Sequence, residues 1–113
     1  MQLPDLLARC ESYPERVFAT VAHIVYPELR PQFRINGYRA DFALPDLGLL
    51  IEIDGRTHHS TPEQIAHDRL RDERLVGCGW RILRFDAQAV IDDATSCVAE
   101  VTATPEPLPF DEG

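Results

Sequence analysis

Tyr38-Arg39-Ala40-Asp41-Phe42-Ala43 and, a short turn later, Leu47-Gly48-Leu49-Leu50-Ile51-Glu52-Ile53-Asp54-Gly55 decide how this chain reads. Both are strand-like, and the second is apolar enough to be central in a sheet. Yet Asp41 interrupts the first, and Glu52 and Asp54 close the second. A carboxylate at the end of a buried strand is costly unless it is paired or bound to a metal. His58 and His59 follow at once. Three acids and two imidazoles at one strand end have the composition of a site for a hard divalent cation, the kind of ion that phosphodiester hydrolysis commonly uses.

Outward from these strands the punctuation is clear. Pro14 to about Tyr26 reads as a helix, with Ser12 as N-cap, Glu15 in the first turn and an apolar stripe of Val17, Phe18, Val21, Ile24 and Val25. Pro27 and Pro31 end it. Gln32–Ile35 and Tyr38–Ala43 read as strands joined by Asn36-Gly37, a dipeptide suited to the positive φ angles of a two-residue hairpin. Thr61-Pro62-Glu63-Gln64 opens a charged helix that runs to about Val76 and stops at Gly77. Trp80–Phe85 is a fourth strand. Asp86 caps a last helix with the stripe Ala87, Val90, Ile91, Ala94, Val98 and Val101. The predicted order is helix, three strands, helix, strand, helix.

Strand parity locates the acids. The hairpin pairs Ile35 with Tyr38, Arg34 with Arg39 and Phe33 with Ala40, and paired residues share a face. Phe33, Ile35, Tyr38, Ala40 and Phe42 then form an apolar face, with Arg34, Arg39 and Asp41 on the other. In the next strand Leu50, Glu52 and Asp54 share a face. If the apolar faces pack on one core, Asp41, Glu52 and Asp54 meet, with Arg34 and Arg39 nearby. A one-residue bulge would break this alternation.

The chain has 113 residues, 44% hydrophobic and 27% charged, which suits one globular domain with its own core. We expect that domain over residues 1–103 and a disordered, acidic, Pro-rich tail over 104–113, with Pro105, Pro107 and Pro109 beside Glu106 and Asp111-Glu112. No stretch approaches the roughly 20 apolar residues of a membrane span, and no signal peptide is evident. Cys10, Cys78 and Cys97 are odd in number and lack metal-ligand spacing, so they read as thiols of a cytoplasmic protein. The net charge of −8 argues against indiscriminate binding to nucleic-acid backbone. All 11 basic residues are arginine.

Four blocks taken together resemble the PD-(D/E)XK nuclease superfamily, and within it the very-short-patch-repair-like group known as domain of unknown function 559. They are Ile35–Phe42, Leu50–His59, Asp68-Arg69-Leu70-Arg71-Asp72 and Gly79–Phe85, and the resemblance covers roughly residues 12 to 100. It implies an α/β, restriction endonuclease-like αβββαβα core, with a central mixed four-stranded sheet flanked by helices. It also implies a Mg²⁺- or Mn²⁺-dependent endodeoxyribonuclease of DNA repair or defence. Asp41 and Glu52 would be metal ligands, with the Ile53 carbonyl and Asp54 as further oxygens. The superfamily's lysine falls at Asp54, and the chain has no lysine. An acid followed by glycine is common there in this lineage, so His58 or His59 becomes the candidate for proton transfer. Glu15 matches the family's helical glutamate. Arg34, Arg39, Arg56 and Arg71 are the candidate phosphate contacts, and a homodimer or a partner protein fits such small nuclease domains.

The same residues have plainer readings. Asp41 could pair with Arg34 or Arg39, Asp54-Gly55 could be a turn, and Glu15 could simply suit the helix dipole. Asp68, Arg71 and Asp72 could form a solvated face. The whole could then be an inactive nuclease-fold binding module, or a toxin- or antitoxin-type component that needs a partner.

Overall fold

The computed structural model describes residues 1–55 and 61–103. Helices α1 (Leu3–Arg9) and α2 (Tyr13–Val25) lead into strands β1 (Arg30–Ile35), β2 (Tyr38–Leu44) and β3 (Leu49–Asp54). Helix α3 (Pro62–Gly77), strand β4 (Arg81–Asp86) and helix α4 (Ala87–Ala103) follow. One sheet has the order β1-β2-β3-β4, antiparallel up to β3 and parallel between β3 and β4. This is the predicted mixed α/β architecture, with an additional helix in front. The expected 104–113 tail lies outside the described residues. None of the described helices is long and apolar enough to cross a membrane.

Helix α1 was not among the predicted elements. It has only seven residues, too few to be stable from propensity alone. Packing holds it, since Leu6 and Cys10 are buried in the main core with Leu3 and Leu7 against them. Strand β1 also starts earlier than predicted and includes Pro31. A proline is tolerated there because β1 is an edge strand. The predicted caps hold. Thr61 and Gln64 form a reciprocal capping box on α3, and the Ala89 N–H donates to Asp86 Oδ2 at the start of α4.

The sheet carries apolar side chains on both faces. Phe18 of α2 stacks on Phe42 and Phe85, with ring centroids 5.4 and 5.7 Å apart, and α4 adds Val90, Ala94, Val98 and Val101 to that core. On the opposite face Ala40, Ala43 and Leu50 pack under Leu75 of α3, flanked by Phe33, Ile35, Tyr38, Trp80 and Ile82. Sequence parity placed Phe42 on one apolar face with Phe33 and Ala40, and this is corrected. Ala40 and Ala43 lie in the α3-side cluster while Phe42 and Leu44 lie in the α2–α4 core, so alternation slips by one residue between Ala40 and Ala43. The slip falls at Asp41. Hairpin pairing otherwise follows the expected register, with Phe33 opposite Ala40, Arg34 opposite Arg39 and Ile35 opposite Tyr38.

Candidate active site

The break in alternation positions the first carboxylate. Asp41 and Glu52 are not a backbone pair, since the β2–β3 ladder runs only from Phe42↔Ile51 to Leu44↔Leu49. In place of the next rung, the Ile53 N–H donates to Asp41 Oδ2 at 2.8 Å. Across the hairpin the ladder skips from Pro31↔Phe42 to Phe33↔Ala40, and the skipped Gln32 has a left-handed φ of 47°. Asp41 is half-buried, and loss of water pushes its pKa up to about 6. The Ile53 hydrogen bond opposes the rise, and the negative charges of Glu15, Glu52 and Asp54 add to it.

Glu15 reaches the site from α2. Ser12 Oγ accepts from the Glu15 N–H at 3.3 Å and sets the helix start. The glutamate that follows is the one buried charged side chain among the described residues. Its Oε1 accepts from the Glu11 N–H and from Gln32 Nε2, both at 3.0 Å. Thus Gln32 ties the helical glutamate to β1 at the gap in the β1–β2 ladder.

Glu52 projects toward α3, on the side of the sheet where Leu50 packs with Leu75. Arg71 Nη2 lies 2.7 Å from Glu52 Oε1, and Arg84 Nη2 lies 3.4 Å from the same oxygen. Arg84 stands on β4 directly opposite Glu52 in the parallel register. Both arginines also meet Asp72 Oδ1, at 2.8 Å from Arg84 and 3.4 Å from Arg71. Exposed Asp54 closes the group, 3.9 Å from Arg84 Nε. The hydrogen bond from Arg84, with both guanidinium charges, holds the Asp72 carboxyl below its ordinary value.

Of the predicted site residues, Glu15, Glu52 and Asp54 each lie within electrostatic reach of Asp41. His58, His59 and Arg56 lie outside the described residues. Arg39, half-exposed, pairs with Glu11 at 3.0 Å, while Arg34 lines a separate groove of about 600 Å³ with Arg9, Arg30 and Gln32. Arg71 sits on Glu52. Sequence reasoning did not place Arg84 in the site. The signal was the one that exposed Glu52, a charge inside an otherwise apolar strand, Ile82-Leu83-Arg84-Phe85.

Beside Glu52 and Asp54 an open groove of about 1210 Å³ separates α3 from the sheet, and Ile65, Asp72 and Val76 form part of its wall. Among the described residues no three His, Cys, Asp or Glu side chains stand close enough to cage an ion. Mg²⁺ needs no such cage, since it is commonly held by one or two carboxylates with water and substrate phosphate. Loss of water raises Asp41 most, and the charges of Glu15, Glu52 and Asp54 add to it, so this end of the sheet carries an excess of negative potential that a cation would offset.

The family REase_MTES_1575 matches residues 13–104, which span α2 to α4. The chain belongs to this restriction endonuclease-like family. An uncharacterized protein of Haemophilus influenzae is 31% identical over 75 residues, 61% of this chain and 61% of that protein's length. The homing endonuclease I-Bth0305I catalytic domain has the same fold, with a TM-score of 0.66 at 18% identity over 81% of this chain and 92% of that domain.

Proposed function

We propose that the protein is a divalent-cation-dependent DNA nuclease of the very-short-patch-repair-like type, acting in DNA repair or defence. The observation that carries the reading is the pair of carboxylates set by β2 and β3. A desolvated Asp41 stands in the field of Glu52, Asp54 and Glu15 at the head of the sheet, in a chain of a restriction endonuclease-like family.

Asp41 and Glu52 would hold the cation, with the Ile53 carbonyl and Asp54 as further oxygens. When bound, the ion supplies Lewis-acid polarisation of the phosphoryl group and eases deprotonation of the attacking water. Asp41 contributes a fixed carboxylate, since the Ile53 N–H leaves it little rotational freedom. Glu15, locked by two hydrogen bonds, orients water on the α2 side. His58 or His59 exchanges the proton as the water oxygen bonds to phosphorus and the sugar oxygen leaves.

Away from the reacting phosphate, the DNA backbone continues along the β1 side, where Arg9, Arg30 and Arg34 line one groove of an otherwise acidic chain. Three free cysteines, two of them buried, suit a reducing cytoplasm. The test is cleavage of plasmid and single-stranded DNA by purified protein with Mg²⁺, with Mn²⁺ and with chelator. Metal-dependent cleavage supports the reading. A folded protein that binds DNA and cleaves with neither metal would be a binding module on a nuclease fold, or an enzyme that needs a partner.

A further inference from the structure

Glu52 is needed by two kinds of charge. Its side chain is 12% exposed, and an unpaired carboxylate so placed would carry a large desolvation penalty. Arg71 and Arg84 remove that penalty by meeting the same oxygen, Oε1. Their Nη2 atoms meet again at Asp72 Oδ1. Glu52, Asp54 and Asp72 thus share two guanidinium groups, a net charge of −1 from three acids and two bases (−3 + 2). The fork of Arg71 is not fully used, because its Nε–H is buried without a hydrogen-bond partner among the described residues.

A divalent cation at Glu52 would stand within a few ångströms of both guanidinium groups. Like charges at that range repel strongly where water is partly excluded. The arginines must then yield Glu52, and a phosphate oxygen is the ligand that guanidinium forks fit best. The groove they line opens to solvent beside Asp54, so a polyanion can reach them.

We propose that Arg71 and Arg84 form a charge exchange at Glu52: they neutralise it while the cation is absent and pass to the substrate phosphate when the cation binds. This rests on the nuclease reading. Cation and DNA affinities are therefore linked. Each ligand strengthens the other by the same factor, because each relieves the charge that the other leaves unpaired.

The experiment is Mn²⁺ binding to the full chain, read by the electron paramagnetic resonance of free Mn²⁺, without DNA and with a phosphorothioate duplex that keeps its charge and resists cleavage. In the wild type the duplex should tighten Mn²⁺ binding by about 5- to 150-fold. Arg84→Gln and Arg71→Gln should each bind Mn²⁺ more tightly than wild type without DNA, and their response to the duplex should shrink. Arg84→Lys, which keeps the charge, should behave as wild type without DNA. Circular dichroism melts verify that each variant folds. Unchanged or weaker Mn²⁺ binding in both Gln variants, with the DNA effect intact, would overturn the exchange. Glu52→Gln separates the two levels. If it retains Mn²⁺ binding, the metal-site reading fails, and the exchange fails with it.

Discussion

The Ile53 N–H donates to Asp41 Oδ2 at 2.8 Å, so a side chain occupies the place of a backbone rung between β2 and β3. The bond both anchors the carboxylate and marks the point where strand alternation slips. A charged group held half-buried in this way strains the cation-free protein electrostatically, and the consequence can be measured.

Asp41→Asn keeps the acceptor for the Ile53 N–H and removes the charge. The folded-state pKa of Asp41 is about 6 against an ordinary 3.8, so the folded state binds the extra proton between these values. Stability contributed by this group is therefore present below about pH 4 and lost as pH rises to about 6. Above that the wild type should be less stable than Asp41→Asn by about 1–2 kcal/mol, a figure reduced for the solvent screening of a half-buried group. Thermal melts of both proteins in chelator should coincide near pH 4 and diverge by pH 7. Identical melts at both pH values would contradict the charge strain.

Cation binding competes with the proton on Asp41. Mn²⁺ affinity should rise as pH passes through about 6 and then level off. Increasing Mn²⁺ should move the apparent midpoint of cleavage activity to lower pH, as linkage requires. A midpoint independent of Mn²⁺ concentration would place the titrating group elsewhere.

Glu15 accepts two hydrogen bonds in a buried setting. Glu15→Ala leaves the Glu11 N–H and the Gln32 amide without their acceptor, which costs about 1–3 kcal/mol. Glu15→Gln can still accept both bonds and should lose much less in urea unfolding. It should also lower the pKa of Asp41, since it removes one neighbouring negative charge. Equal stability losses in the two variants would mean that the hydrogen bonds are not the stabilising feature.

On the β1 side, Arg30→Ala and Arg34→Ala should weaken DNA binding by similar factors for any sequence. Each phosphate contact removed should lower the slope of log affinity against log salt by about 0.9. An unchanged slope in the double variant would confine the DNA contacts to the groove of Arg71 and Arg84.

Much of this was legible in the sequence. Asn36-Gly37 set the hairpin register, Thr61 to Gln64 the start of α3, and Asp86 the start of α4. The acids stood out because charges interrupt apolar strands. Two features did not show. Helix α1 is held by burial of Leu6 and Cys10 rather than by propensity, so its pattern is too short to read. The slip at Asp41 depends on a left-handed Gln32 and on a side chain replacing a rung, which period-two reasoning cannot contain. Arg84 was missed because its meaning depends on parallel register with Glu52, a contact made only once β3-α3-β4 has closed.

The central claim is that Asp41 and Glu52 hold one cation for phosphodiester hydrolysis, and plasmid cleavage by wild type, Asp41→Asn and Glu52→Gln in Mg²⁺ and Mn²⁺ tests it most directly. The wild type should cleave in a way that chelator abolishes, with each variant slower by about 10²-fold or more while remaining folded. Wild-type rates in both variants, or cleavage that survives the chelator, would contradict it.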